Sequence, residues 1–301
     1  LFIDGVGLGA DAAENPFFAL RTPGLDSILD GRRFTAETVG YSGNKATLLG
    51  LDATLGVPGL PQSATGQASI FTGINAPAYL GGHLNGFPNF KLRGLLALKG
   101  IFKRLRQIGY RVCFANAYRP QFFDLLAKGL PDHHYSCSTL VTYYGGIKFF
   151  SMDDLFNGRA IYMDITNNLL KYQDYELPQI TPEEGAMHLA NLSRKYDFCL
   201  FEYFLSDLAG HHADQDQVEQ VVDTLDRFIG TLALNVATDD TFLMVCSDHG
   251  NLEDNAVNDH TCNPVPLLMI GNPDLRRLIG DKTENLTHLL AGVEKGLSWK
   301  G

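Results

Sequence analysis

Short apolar runs that end in polar residues punctuate the chain, at Leu1 to Ile3, Val112 to Ala115, Ile161 to Met163, Phe198 to Phe204, Phe242 to Cys246 and Pro266 to Ile270. Their length and the lack of a helical period predict strands. Runs apolar on both faces predict a sheet that is covered on both sides. Between them the period changes. From 216 to 235, Val218, Val221, Val222, Leu225, Phe228, Ile229 and Leu232 recur at spacings of mostly three and four, which predicts a helix with one buried face. A second helix is predicted from Leu95 to Ile108, with Leu98, Ile101, Phe102 and Leu105 inward, Lys103, Arg104 and Arg106 solvated, and Gly109 as its stop. A third starts at Thr181-Pro182-Glu183-Glu184, where Thr181 caps, Pro182 suits the first helical position and Glu184 closes a capping box.

Strands alternating with helices predict an α/β fold: a mostly parallel central sheet with helices on both faces and functional groups at the carboxyl ends of the strands. With 301 residues, 45% apolar and 19% charged, the chain can bury one large core, so 1–301 reads as a single catalytic domain. The stretch from about 120 to 180, with Tyr143-Tyr144-Gly145-Gly146, lacks clean periodicity and reads as a small inserted subdomain or a long excursion. The first residues already look like the end of a buried strand, so a few residues upstream of Leu1 are expected. A formal charge of −10 disfavours a nucleic-acid partner, which needs a basic surface. No run approaches the roughly 20 apolar residues that span a bilayer, so no membrane association is expected. Cys113, Cys137, Cys199, Cys246 and Cys262 form an odd set without a C-x-x-C pair, which suits reduced thiols in a cytoplasmic protein.

The polar residues at the predicted strand ends carry the chemistry. Asp4 follows Leu-Phe-Ile, Asp207 follows Phe-Glu-Tyr-Phe-Leu-Ser, and Asp248-His249 follows Phe-Leu-Met-Val-Cys-Ser. His211 stands four residues after Asp207, which on a helical turn puts carboxylate and imidazole on one face. His260 lies eleven residues beyond His249. Singly, each has a plain explanation: Asp4-Gly5 as a turn, His211-His212 as a solvated pair. Brought to one sheet edge, these acid and imidazole groups would repel or stay unsatisfied without a cation. Carboxylate oxygen with imidazole nitrogen suits Zn or Mn.

Small residues in Pro61-Gln62-Ser63-Ala64-Thr65-Gly66-Gln67-Ala68-Ser69-Ile70-Phe71-Thr72-Gly73 open an apolar-periodic stretch that reads as a helix start. Ser63 there sits beside backbone N–H groups and the positive end of the dipole, a place that favours a phosphate. Ser63 as a simple helix cap is the competing reading, and Thr65 is the competing nucleophile.

In order and spacing these residues resemble the alkaline phosphatase superfamily, in particular its metalloenzyme group containing cofactor-independent phosphoglycerate mutase and phosphopentomutase. That pattern has an Asp after the first strand, a Ser or Thr ten residues before a glycine, an Asp with His four or five later, Asp-His, and a last His; Asp4, Ser63 with Gly73, Asp207 with His211, Asp248-His249 and His260 match it. The resemblance implies an alkaline phosphatase-like fold and two divalent metal ions, Mn or Zn. Asp207, His211 and His260 would hold one, and Asp4, Ser63, Asp248 and His249 the other. The offset to Gly73 selects Ser63 over Thr65 as the nucleophile, and the partner would be a small phosphorylated metabolite. Mutases of this group carry a large cap, yet only about 130 residues lie between Gly73 and Asp207, part of them core. A phosphomonoester hydrolase acting through a phosphoserine is therefore favoured. A phosphomutase stands second and a phosphodiesterase third; a metal-binding scaffold without catalysis is disfavoured by the presence of Ser63. His83, Asn85, Lys45 and Arg119 are candidate phosphate contacts, Arg119 with bidentate geometry. Gly5-Val6-Gly7-Leu8-Gly9-Ala10 also satisfies a loose dinucleotide pattern, but Asn15-Pro16 and Thr22-Pro23 leave no helix to complete it.

Overall fold

The computed structural model describes residues 1–129, 135–173, 175, 177–212, 214–236 and 241–299. Its strands are β1 (Phe2–Ile3), β2 (Ala46–Leu51), β3 (Val112–Phe114), β4 (Ala117–Tyr118), β5 (Phe150–Ser151), β6 (Phe198–Leu200), β7 (Glu202–Tyr203), β8 (Leu243–Cys246) and β9 (Val265–Ile270). Five form the central sheet in the order β2-β9-β8-β1-β7. β1 lies parallel to β7 and β8, whereas β9 runs antiparallel to both β8 and β2. The sheet is thus mixed. A parallel return needs a long crossover, commonly a helix, and 247–264 contains no helix, so β9 comes back beside β8 in the opposite sense. Beyond β7 the layer continues. β6 pairs parallel with β3, and Phe201 links β6 to β7 while its carbonyl accepts the Phe2 N–H at 2.9 Å.

Alternate strand residues feed two cores. Ile3, Leu268 and Ile270 pack on one face with Val222, Leu225 and Phe228 of the helix Gln215–Val236. Phe2, Leu267 and Met269 pack on the other with Ala64, Ala68 and Phe71 of the helix Ser63–Thr72. This period of two is what a sheet covered on both sides requires. The 120–180 region shares these cores: Cys137, Leu140 and Val141 join the Phe2 side, and Met152, Leu155, Ile161 and Leu170 the Ile3 side.

The helix Pro182–Ser193 opens with the capping box expected of Thr181 and Glu184. Three expectations change. The 95–108 pattern is two helices, Phe90–Lys99 and Ile101–Gln107, because Gly100 at φ −58°, ψ 140° breaks the run. The break shifts the phase and leaves Leu98 outward, 72% exposed. Ile161 forms only an isolated bridge to Asn116. β2 escapes the pattern because Ala46 and Gly50 dilute its β-propensity; six paired residues of β9 hold it in place. All five cysteines are free thiols. Among the described residues, no helix is long and apolar enough to cross a membrane.

Glu202 is buried in β7, where Ser138 Oγ donates to its Oε2 at 2.6 Å. Burial pushes its carboxyl from 4.5 to about 8; Ser138 pulls it down, and the Asp4 charge adds to the rise. Between those values the folded chain keeps a proton that the unfolded chain has released, so stability falls as pH rises through this window, by at most about 1.4 kcal/mol per pH unit. Denaturant unfolding of metal-free protein across this range should show stability falling with pH, and Glu202→Gln should make the slope shallower; an unchanged slope in the variant would remove Glu202 as a source of it.

Candidate metal centre

β1 delivers Asp4 to the carboxyl edge of the sheet, and the chain turns at Gly5 with φ +68°. Only glycine fits there, since a Cβ would stand 2.6 Å from Asp207 Oδ1. After β7 the helix Leu205–His212 begins at once, placing Asp207 in its first turn and His211 one turn later, with His211 Nε2 3.5 Å from Asp207 Oδ1. β8 ends at Cys246 and hands Asp248 and His249 to the same edge. β9 contributes from its amino end, because it is antiparallel, and the loop before it carries His260.

Two groups of donors result. In the first, His211 Nε2 and His260 Nε2 lie 3.1 Å apart, with Asp207 Oδ1 3.6 Å from His260 Nε2. His260 Nδ1 is 2.8 Å from the Pro61 carbonyl. A carbonyl only accepts, so Nδ1 carries the hydrogen and Nε2 keeps its lone pair toward the cluster. In the second, His249 Nε2 lies 3.2 Å from Asp4 Oδ1, 3.7 Å from Asp248 Oδ2, 3.9 Å from Asp207 Oδ1 and 3.0 Å from Ser63 Oγ. Asp207 Oδ1 therefore faces both groups, each of which could hold a cation.

The electrostatics explain why a cation fits. Burial, then the neighbouring Asp4 charge, hold the Asp248 carboxyl well above the usual carboxylate range, against the pull of His249. Burial lowers the His249 imidazolium, but Asp248, Asp4 and Asp207 outweigh it and raise it to about 10. Burial and the His249 charge lower His260. Asp4 Oδ1 and Asp248 Oδ2 are buried and accept no hydrogen bond. Buried carboxylate oxygens left bare cost several kcal/mol, and oxygens beside imidazole nitrogens make a donor set suited to Zn or Mn.

Ser63 is the first residue of its helix; Gln62 precedes it as the cap residue and no side-chain cap bond forms. Its hydroxyl turns to His249 instead, which overturns the capping alternative. Thr65 Oγ1 donates to the Gln62 carbonyl at 3.1 Å and accepts the Leu84 N–H at 3.2 Å, so it ties down the 83–85 loop. His83 rides on that loop beside the helix start, its Nε2 3.2 Å from the Val57 carbonyl. Asn85 and Arg119 are exposed, Arg119 at the head of the helix Pro120–Ala127. Lys45 is the clear correction: it precedes β2, whose Ala46 pairs with Ile270, the end of β9 opposite to the site, and its Nζ donates to Ser27. β2 runs the same way as β1, β7 and β8, so its amino end lies opposite to their carboxyl ends.

The sequence reading passed over two orienting side chains. Gln67 Nε2 donates to Asp4 Oδ2 at 3.1 Å, and Asn251 Nδ2 donates to Asp207 Oδ1 at 2.8 Å. Gln67 was legible in principle, being one turn beyond Ser63 on the same face. Asn251 depends on a contact between distant loops.

A fold that gathers so many anionic and imidazole donors at one sheet edge is of the metal-dependent enzyme class. Residues 1–295 match the family described as the Metalloenzyme superfamily, and the chain belongs to it. It is 32% identical over 129 residues to the 2,3-bisphosphoglycerate-independent phosphoglycerate mutase of Yersinia pestis (strain Pestoides F), covering 40% of this chain and 25% of that protein. The same-named enzyme of Desulforudis audaxviator (strain MP104C) is 32% identical over 141 residues, covering 42% of this chain and 26% of that one. The matching stretch thus spans only about a quarter of either relative. In fold, the chain is similar to the alkaline phosphatase of the Antarctic bacterium TAB5, with a TM-score of 0.54, 12% identity and coverage of 100% and 98%. It is also similar to the PH0037 protein of Pyrococcus horikoshii, with a TM-score of 0.52, 16% identity and coverage of 90% and 84%.

Shared use of Asp207 Oδ1 separates two variants. After reconstitution with Mn or Zn, elemental analysis should find about two equivalents in the native chain and about one in His260→Ala. Asp207→Asn should lower both. Full metal content in Asp207→Asn would show that the two groups do not share it.

Proposed function

We propose that this chain is a metal-dependent phosphoryl-transfer enzyme that hydrolyses small phosphomonoesters through a phosphoserine at Ser63. The observation that carries the reading is the position of Ser63 Oγ, at the start of a helix and 3.0 Å from His249 Nε2, inside the second donor group. Two divalent ions, one with Asp207, His211 and His260 and one with Asp4, Ser63, Asp248 and His249, would supply charge neutralisation and a lowered hydroxyl pKa. Asp207 Oδ1, aimed at both groups, sets their spacing. Gln67 and Asn251 keep Asp4 and Asp207 from rotating away. N–H groups in the first turn of the Ser63 helix have no partner within the helix and would be available to a bound phosphate. Ser63 Oγ forms a bond to phosphorus as the ester P–O bond breaks; the hydroxyl proton leaves Ser63 and the departing alkoxide takes one up. Water then cleaves the phosphoserine to inorganic phosphate and restores the hydroxyl.

Support for water as the acceptor comes from the first group, where the side chains of His211 and Asp207 are 23% and 18% exposed. Described residues of the 120–180 region, among them Cys137, Leu140, Met152 and Leu155, pack into the two cores. A phosphomutase is the second reading, favoured by the phosphoglycerate mutases among the relatives. Product analysis divides them: a panel of phosphomonoesters including a phosphoglycerate should yield inorganic phosphate, and an isomerised ester without phosphate release would establish the mutase instead.

Ser63→Ala should lose several orders of magnitude in turnover, since the whole covalent route goes with it. Thr65→Val removes two hydrogen bonds that hold the 83–85 loop, each worth about 1 kcal/mol, and should cost at most roughly 30-fold, far less than Ser63→Ala. Rapid acid quench with a labelled substrate, followed by peptide mapping, should place the label on Ser63; label on Thr65, or native turnover by Ser63→Ala, would show the nucleophile to be another group.

A further inference from the structure

Glu253 is a buried acidic side chain that touches neither donor group, and its exposure is only 1%. Oε2 accepts the N–H of Gly7 at 2.7 Å and that of Asn251 at 2.7 Å. Oε1 accepts the hydroxyl of Thr261 and Nδ2 of Asn263 at 3.1 Å. Four neutral donors thus fill a carboxylate's four acceptor sites. They come from two segments: the turn after β1 that carries Asp4, and the 247–264 loop between β8 and β9, which carries Asp248 and His249 near one end and His260 near the other.

The glycines around it have no other explanation as economical. A Cβ on Gly7 would stand 2.3 Å from Glu253 Oε1, one on Gly250 2.3 Å from the same atom, and one on Gly9 2.7 Å from the Glu253 carbonyl oxygen. The glycine run after β1, which mimics a dinucleotide fingerprint in sequence, is the opening through which this carboxylate reaches the backbone.

We propose that Glu253 is the positioning residue of the metal centre: it locks the turn after β1 and both ends of the 247–264 loop in register and so sets the affinity of both sites. The inference rests on the two-site reading above. Geometry, rather than charge, is the cause. A glutamine can still offer its oxygen to the fixed N–H groups of Gly7 and Asn251, while the Thr261 hydroxyl rotates and the Asn263 amide flips to meet the new NH2. An alanine loses all four bonds.

Cobalt(II) titration of the full chain, followed by its visible absorption, tests this. The native chain should bind about two equivalents. Glu253→Ala, checked for folding by circular dichroism, should bind at both sites about 10- to 100-fold more weakly with an altered spectrum, and Glu253→Gln should recover most of the affinity. Thr261→Val, which removes one donor next to His260, should weaken chiefly the site containing His260, and it decides the matter where Glu253→Ala does not fold. Native affinity and spectrum in folded Glu253→Ala, or in Thr261→Val where the first variant is unfolded, would overturn the proposal. So would a glutamine variant as weak as alanine. A native chain that binds no cobalt would instead sink the two-site reading itself.

Discussion

Asp4, Asp207 and Asp248 converge on one buried imidazole, His249, at the carboxyl edge of the sheet, and much of the local structure exists to make that convergence possible. Acids packed this closely resist ionising together, and the oxygens of Asp4 and Asp248 that lack hydrogen bonds show that the protein does not satisfy them by itself. Backbone must come very near to seat them. Added Cβ atoms at Gly5, Gly66 and Gly210 would fall 2.6 Å from Asp207 Oδ1, 2.9 Å from Asp248 Cβ and 2.5 Å from Asn251 Cγ. These glycines are the steric complement of the acidic cluster, and a side chain at any of them would push a ligand-bearing segment outward.

The mixed topology serves the same end. Parallel β1, β7 and β8 present their carboxyl ends together, which gathers Asp4, Asp207, Asp248 and His249. A further parallel strand would bring its carboxyl end as well, but would need a crossover of a dozen or more residues to do so. The antiparallel β9 needs no helical crossover, and because its amino end lies at the site, the 247–264 loop preceding it delivers His260. The same geometry places the amino end of β2 on the far side and takes Lys45 with it.

The chemistry proposed for Ser63 follows from where its helix starts. The helix packs Ala64, Ala68 and Phe71 into the core, so its first turn is fixed from below while its amino end faces the donors. A nucleophile on a well-packed helix needs no loop closure to be aligned, and Gln67, one turn on, fastens Asp4 to the same element. Thr65 shows the contrast: two residues along, it is wholly buried and occupied with holding the 83–85 loop.

How much of this could be read from the chain depends on whether a feature is local. Apolar runs and the 3.6-residue period identified β1, β8, β9 and the long helix Gln215–Val236; the capping box marked the start of Pro182–Ser193; the polar residues at strand ends pointed to the clustered acids and histidines. Each of these is written in a few neighbouring residues. The antiparallel return of β9, the strand β2, the break at Gly100 that turned Leu98 outward, and the orienting contacts of Gln67, Asn251 and Glu253 were not legible in that way. They depend on which distant segments touch, as with the 246 positions between Gly7 and Glu253. The sequence by itself determined which residue types stand at which strand ends; only the tertiary structure decided that Asp207 faces both donor groups and that one buried carboxylate ties their loops together, because a hydrogen bond between remote segments leaves no period in the chain.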